Sequence, residues 1–265
     1  MVFLVHPGPS LLVTALFVAT AGLALHRVPD GSLSLRLAAL MLPIQFAIGI
    51  TNDLCDARED ALSKPYKPLV RDQAAARAAL AVGVLLAAGG LAAAASISGV
   101  TLGFTAAGLV AGLLYDVGLR RTPLSFVPWC VAFCALPLAA FAAAGRSLPE
   151  LPALVTLAML LALGLHFANA LPDIIDDRRG GRVSLPVLLG PRASAIALIV
   201  CVVAAAVCSV TVLRPATLSV ALNAAAAFAA ACAVASVTLC LRRPFPLVAV
   251  GVALLAVAWL AQISG

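Results

Sequence analysis

The sequence predicts an all-α fold: a polytopic membrane protein, a bundle of nine transmembrane helices with cytoplasmic cap loops. Three observations lead there. Hydrophobic residues make up 63% of the 265-residue chain and charged residues only 11%, more apolar side chain than a water-soluble core can absorb. Apolar runs of about 17 to 25 residues, each long enough to cross roughly 30 Å of hydrocarbon as a helix, recur along the whole chain. Most of the charge falls in the short segments between those runs.

The first run, 10–26, has no Lys or Arg ahead of it and no convincing small-residue cleavage site behind it, so it is expected to stay as a helix rather than be removed as a signal peptide. The second, 33–51, contains LRLAALMLPIQFAIGI and ends against TNDLCDARED. The third and fourth, 77–95 and 98–115, are rich in Ala and Gly and lead into YDVGLRRTPL. After the fifth, 124–144, the sixth, 151–170, runs into LPDIIDDRRGGRVSLPVLLG. The last three, 193–213, 216–240 and 245–262, are broken only by short links. Small residues dominate over aromatics throughout, which suits helices that approach closely in lipid. The whole chain, 1–265, reads as one domain.

Orientation follows from the bases. Segments after the even-numbered runs hold Arg58, Lys64, Lys67, Arg71, Arg120, Arg121, Arg178, Arg179, Arg182, Arg192, Arg242 and Arg243, whereas the opposite segments hold only Arg27, Arg146 and Arg214. The positive-inside rule puts the first set in the cytoplasm, the N-terminus with it, and the C-terminus outside. The net charge of +6 is therefore a topological signal. Nucleic acid is not expected as a partner, because the bases are scattered without interleaved aromatics.

The acids carry the chemistry. Of eleven Asp and Glu, Asp53, Asp56, Glu59 and Asp60 follow the second run, and Asp173, Asp176 and Asp177 follow the sixth, on the same predicted side. If the second helix continues, about 100° per residue brings Asp53, Asp56 and Asp60 within about 60° of one another. The same arithmetic aligns Asn169, Asp173 and Asp177 after the sixth. Carboxylates this close need a compensating charge. Oxygen-only ligands favour a hard divalent ion, and Mg²⁺ in particular is held by a few carboxylates while substrate phosphate and water complete its shell. Bases interleaved with the acids, Lys64, Lys67, Arg120, Arg121, Arg178, Arg179 and Arg182, make a site for a polyanion such as diphosphate. Solvated loop caps that only set topology are the plain alternative.

These residues match a known pattern. NDLCDARED has the form NDxxDxxxD over Asn52, Asp53, Asp56 and Asp60, and LPDIIDDRR carries DxxxD as Asp173 and Asp177. With KPYKPL after the first motif and SLPVLLG after the second, the chain resembles the UbiA superfamily of intramembrane prenyltransferases, whose members have nine transmembrane helices and two such motifs above a lipid-open cavity. Val70-Arg71-Asp72 stands where many relatives have Pro-Ser-Gly, and Arg182 and Ser184 replace a common Lys and Thr.

The resemblance implies two Mg²⁺ ions, one on Asp53, Asp56 and Asp60 and one on Asp173 and Asp177, gripping an isoprenyl diphosphate of geranyl to geranylgeranyl length as its carbon–oxygen bond breaks. It implies Asn52 and Asn169 as ligand-orienting or coordinating amides. Lys67, Arg120 and Arg121 are then phosphate contacts, with Lys64, Tyr115 and Arg182 as further ones. The isoprenoid tail would lie among the helices, sheltered from water until a nucleophile attacks.

Transfer of the prenyl group to an aromatic or lipid acceptor is the leading expectation. Internal attack, which makes the chain a terpene cyclase with no acceptor, is the second. A transporter using the acids as an ion pathway is the third, and it expects acids within the spans rather than at their ends. His6, His26 and His166 are far apart in sequence, so His166 reads as a packing or hydrogen-bonding residue. The seven cysteines show no CxxC spacing and read as small apolar residues. Trp129, Phe133, Phe141 and Phe167 are packing aromatics that could also steady a cation.

Overall fold

The computed structural model describes residues 7–63, 73–147, 151–211, 220–238 and 244–264, the side chains of 58–63 and 259–264 and of residues 73, 151 and 220 excepted. All regular structure among them is helical: α1 (Pro7–Leu25), α2 (Gly31–Ser63), α3 (Gln73–Ile97), α4 (Gly99–Val117), α5 (Val127–Ala143), α6 (Leu151–Ala170), α7 (Ile174–Arg179), α8 (Leu185–Thr211), α9 (Val220–Thr238) and α10 (Phe245–Ser264), with 3₁₀ turns at Leu119–Arg121 and Leu171–Asp173. Each of the nine expected spans has its helix. Seven are long and apolar enough to cross a membrane, while Val127–Ala143 and the described apolar part of α10, Phe245–Ala258, are shorter. Large apolar side chains such as Leu35, Leu85, Leu188 and Ile196 stand exposed on helix flanks, where only lipid can cover them without cost.

The sequence marks several helix ends. Asp30 Oδ1 accepts the Leu33 N–H at 2.9 Å and the Ser32 hydroxyl at 2.7 Å, capping the start of α2. Ser98, in an extended conformation, breaks α3 from α4 and accepts the Thr101 N–H at 3.0 Å. Without such caps the first N–H groups of each helix would be orphaned.

Two helices depart from the expected bounds. α2 continues past residue 51 to Ser63, because helical hydrogen bonding does not stop where the apolar stretch stops. α8 starts at Leu185 rather than 193, since SLPVLLG already contributes a helical turn before a kink at Gly190. There φ is 81° and ψ 170°, a region that only glycine adopts without strain. The Arg178 guanidinium donates to the Val187 carbonyl just before this kink.

The chain divides into two compact units, Met1–Gly118 with Ala135–Ser147, and Leu119–Cys134 with Leu148–Gly265. In the first, α2 packs on α1, α3 and α4, around a core that includes Phe17, Leu37, Leu40, Met41 and Ala139. Close approach of α4 to α2 depends on Gly112, where a Cβ would lie 2.7 Å from Ile48 Cδ1. In the second, α8 packs on both α6 and α9, and α9 on α10.

Candidate active site

The first acidic motif is built on α2. Because the helix runs unbroken from Gly31 to Ser63, Asp53 and Asp56 sit about one turn apart, with residue 60 a further turn on. Asp53 is buried at 2% exposure. One residue earlier, Asn52 donates from Nδ2 to Asp116 Oδ1 at 3.0 Å, and Asp116, in the last turn of α4, is itself only 4% exposed. The Ile48–Gly112 contact lies one turn before this pair on both helices. Two buried carboxylates, Asp53 on α2 and Asp116 on α4, carry a desolvation penalty that positive charge or hydrogen bonds must offset. The Asp60 side chain, Lys64 and Lys67 lie outside the described residues.

The second motif has a different local shape. α6 ends at Ala170, the chain passes through the 3₁₀ turn Leu171–Asp173, and α7 then carries IIDDRR. Pro172 lacks an N–H to continue the α-helical ladder, which accounts for the tightened turn. Ile174, 1% exposed, anchors α7. Asn169 and Asp173 are exposed. Asp177, about one-fifth exposed, is paired with Arg182 at 2.9 Å. The three arginines that follow the motif therefore have three different uses. Arg178 reaches the Val187 carbonyl, Arg179 makes an exposed pair with Asp176 at 3.3 Å, and Arg182 lies against Asp177.

The segment bearing Arg120 and Arg121 is fastened to the same unit. The Arg121 carbonyl accepts the Val183 N–H at 3.2 Å, and Ser125 Oγ accepts the Leu185 N–H at 3.3 Å. Ser125 Oγ also lies 3.1 Å from His166 Nε2. His166 is buried, with its ring centroid 5.8 Å from that of Trp129 and 5.9 Å from that of Phe167. It takes the hydrogen-bonding role that the sequence suggested. Trp129 also meets Phe133 and Phe245, while Phe141 is buried in the first unit. Tyr115 is half-buried near the end of α4.

Among the described residues, no three His, Cys, Asp or Glu side chains gather closely enough to cage an ion by themselves. Mg²⁺ does not need such a cage, because it is commonly held by one or two carboxylates together with substrate phosphate and water. The donors, Asp53, Asp56, Asp116 and the Asn52 amide in one unit and Asp173 and Asp177 in the other, are oxygen-bearing groups of the kind a hard cation takes. Asp116 is the residue that motif reading passed over. An ionisable side chain at the end of an apolar run is itself a functional signal, and it stands between Tyr115 and the Arg120-Arg121 pair.

The model of the UbiA prenyltransferase family matches residues 11–244. Among curated relatives, the bacteriochlorophyll synthase 33 kDa chain of Cereibacter sphaeroides is 32% identical over 151 residues, 54% of this chain and 50% of that protein. Digeranylgeranylglyceryl phosphate synthase of Thermococcus gammatolerans is 32% identical over 177 residues, 65% of this chain and 62% of its own length. The match thus spans half to about three-fifths of those relatives. Among solved structures, a UbiA homolog from Archaeoglobus fulgidus bound to DMAPP and Mg²⁺ superposes with a TM-score of 0.71 at 17% identity, covering 97% of this chain and 98% of that one.

Proposed function

Since the chain belongs to the UbiA prenyltransferase family, we propose that it is a Mg²⁺-dependent intramembrane enzyme that ionises an isoprenyl diphosphate and transfers the prenyl group to an aromatic or lipid acceptor. The observation that supports this most directly is that the family match runs through both acidic motifs, residues 11–244. The same continuity supports reading the chain, 1–265, as one UbiA-like domain. The named products of the curated relatives, a bacteriochlorophyll and digeranylgeranylglyceryl phosphate, favour an acceptor over acceptor-free cyclisation.

Asp53, Asp56 and Asp60 would hold one Mg²⁺ and Asp173 and Asp177 a second. When bound, the ions neutralise the diphosphate and stabilise it as a leaving group. The chain's own residues do the rest. Asn52, fixed by its bond to Asp116, is held beside Asp53. Arg120 and Arg121 supply fixed positive charge for the departing diphosphate, together with Lys67 and, as further contacts, Lys64, Tyr115 and Arg182. Asn169 orients from the end of α6. Arg182, paired with Asp177 at 2.9 Å, would hold that carboxylate's charge and orientation beside the diphosphate. Apolar helix walls exclude water from the allylic carbon, so that the acceptor is the nucleophile. The basic loops put this chemistry on the cytoplasmic side, with the C-terminus outside.

The test is to incubate the purified protein with Mg²⁺ and geranyl, farnesyl or geranylgeranyl diphosphate, with and without aromatic and glyceryl phosphate acceptors. Products in the organic extract are then identified by mass spectrometry. Prenylated acceptor that depends on both Mg²⁺ and Asp53 supports the reading. A cyclic hydrocarbon or alcohol formed without acceptor overturns the transfer step. Absence of any Mg²⁺-dependent diphosphate release across the three substrates overturns the whole assignment.

A further inference from the structure

Ser125 has no charge, belongs to neither acidic motif and is fully buried, yet three parts of the second unit meet at its hydroxyl. It accepts the Leu185 N–H at the start of α8, lies 3.1 Å from His166 Nε2 on α6, and terminates the segment that carries Arg120 and Arg121. A second tie runs parallel to it, from the Val183 N–H to the Arg121 carbonyl. On α6, His166 precedes Asn169 by about one turn and residue 173 by about two. On the other side, Val183 directly follows Arg182, whose guanidinium holds Asp177. The hydroxyl therefore links the bases of one segment to the acids of another, through one side-chain bond and one main-chain bond.

The geometry points to Ser125 and His166 as positioning residues, which hold Arg120 and Arg121 in register with the second acidic motif and so set diphosphate affinity. This rests on the reading above that Arg120 and Arg121 contact the diphosphate. A serine hydroxyl that accepts one N–H still has its own proton to give, so the Leu185 N–H and an unprotonated His166 Nε2 can be satisfied together. Removing His166 takes one of the two ties at the Ser125 hydroxyl, and removing the hydroxyl takes both, while the Val183–Arg121 main-chain bond remains in either case.

The variants are Ser125→Ala, His166→Phe, His166→Gln and Arg121→Ala, with Ser125→Ala combined with Arg121→Ala as a fifth. His166→Phe keeps an aromatic ring against Trp129 and Phe167 but has no nitrogen; His166→Gln keeps a polar group near the Nε2 position. Losing a buried hydrogen bond of this kind is expected to raise KM for geranyl diphosphate by roughly tenfold in Ser125→Ala and His166→Phe. The kcat should stay within about threefold of the parent, because the reacting groups are untouched. His166→Gln should return KM to near the parent value. In the Arg121→Ala background Ser125→Ala should raise KM by clearly less than its roughly tenfold effect in the parent, because only Arg120 is then left to position, the non-additivity expected of changes that act through a shared contact.

If Ser125→Ala does not yield folded protein, the His166→Phe and His166→Gln pair carries the same comparison. An unchanged KM in His166→Phe and Ser125→Ala, with KM raised in Arg121→Ala, overturns the positioning role and leaves the diphosphate contact standing. An unchanged KM in Arg121→Ala overturns the diphosphate contact itself. A fall in thermal stability with KM unmoved identifies a purely structural bond and also overturns the inference.

Discussion

Replacing Gly112 with alanine tests whether helix approach sets the geometry of the first motif. An added Cβ would sit 2.7 Å from Ile48 Cδ1, 3.0 Å from Cγ1 and 3.2 Å from Cγ2. Carbon atoms settle at about 3.5 to 4.0 Å, so Ile48 and the new methyl must separate by about 1 Å. All three contacts are Ile48 side-chain atoms, so either that side chain repacks or α4 yields, and the two outcomes differ in what they do to Asn52. Overpacking of this sort costs about 1–3 kcal/mol of stability. One turn further along, the Asn52–Asp116 bond at 3.0 Å has only a few tenths of an ångström to spare before it ceases to be a hydrogen bond. Its loss, as a bond to a carboxylate, is worth about 1.5–3 kcal/mol. If that is felt in the transition state, kcat/KM falls by roughly 10- to 150-fold. The assay pairs turnover with the thermal midpoint in detergent, using Gly103→Ala on the same helix as control, since a Cβ there meets nothing within 4 Å. Adding Ile48→Ala to Gly112→Ala should recover most of the turnover without recovering the stability. Gly112→Ala indistinguishable from Gly103→Ala in both measurements would refute the claim that close packing holds Asn52 on Asp116.

Asp53→Ala and Asp177→Ala should each lower turnover by at least about 100-fold, the scale of removing a group that stabilises developing charge, while size-exclusion profiles stay those of folded protein. Full activity in either purified variant removes that residue from the metal set. Gly190→Ala should lower the thermal midpoint, because an L-residue at φ 81° and ψ 170° is strained by about 1–3 kcal/mol. An unchanged midpoint means the kink relaxes freely. Asp30 gives a pH prediction: the Leu33 N–H first, then the Ser32 hydroxyl, hold its carboxyl below the usual carboxylate range. Its stabilisation of the α2 start is full above the unfolded value near about 4 and fades as pH drops through the lowered folded value. Amide exchange at Leu33 should speed up on acidification, and Asp30→Ala should be fast and pH-independent over that range once intrinsic exchange is corrected for.

The membrane-spanning character was legible because it depends on sums over many residues. Lipid demands long apolar helices wherever the chain crosses, and runs such as 151–170 gave their helix with both ends correct. Helix ends governed by other forces were less visible. α2 outlasts its apolar stretch by about three turns, and α8 begins before its own, because the Gly190 kink lets one helix absorb SLPVLLG. The acidic motifs were legible as well, since charge after an apolar run is costly and stands out. Their partners were not. Asp116 is one carboxylate in a segment whose visible features are Tyr115 and two arginines, and it meets Asn52, 64 residues earlier, through the packing of α4 on α2. Ser125 was less legible still, because a lone serine carries no charge or spacing to read, and its importance lies in what meets at one oxygen. In a bundle of small residues, polar pairs form where helices touch, and such contacts between distant parts of the chain leave no mark in the local sequence.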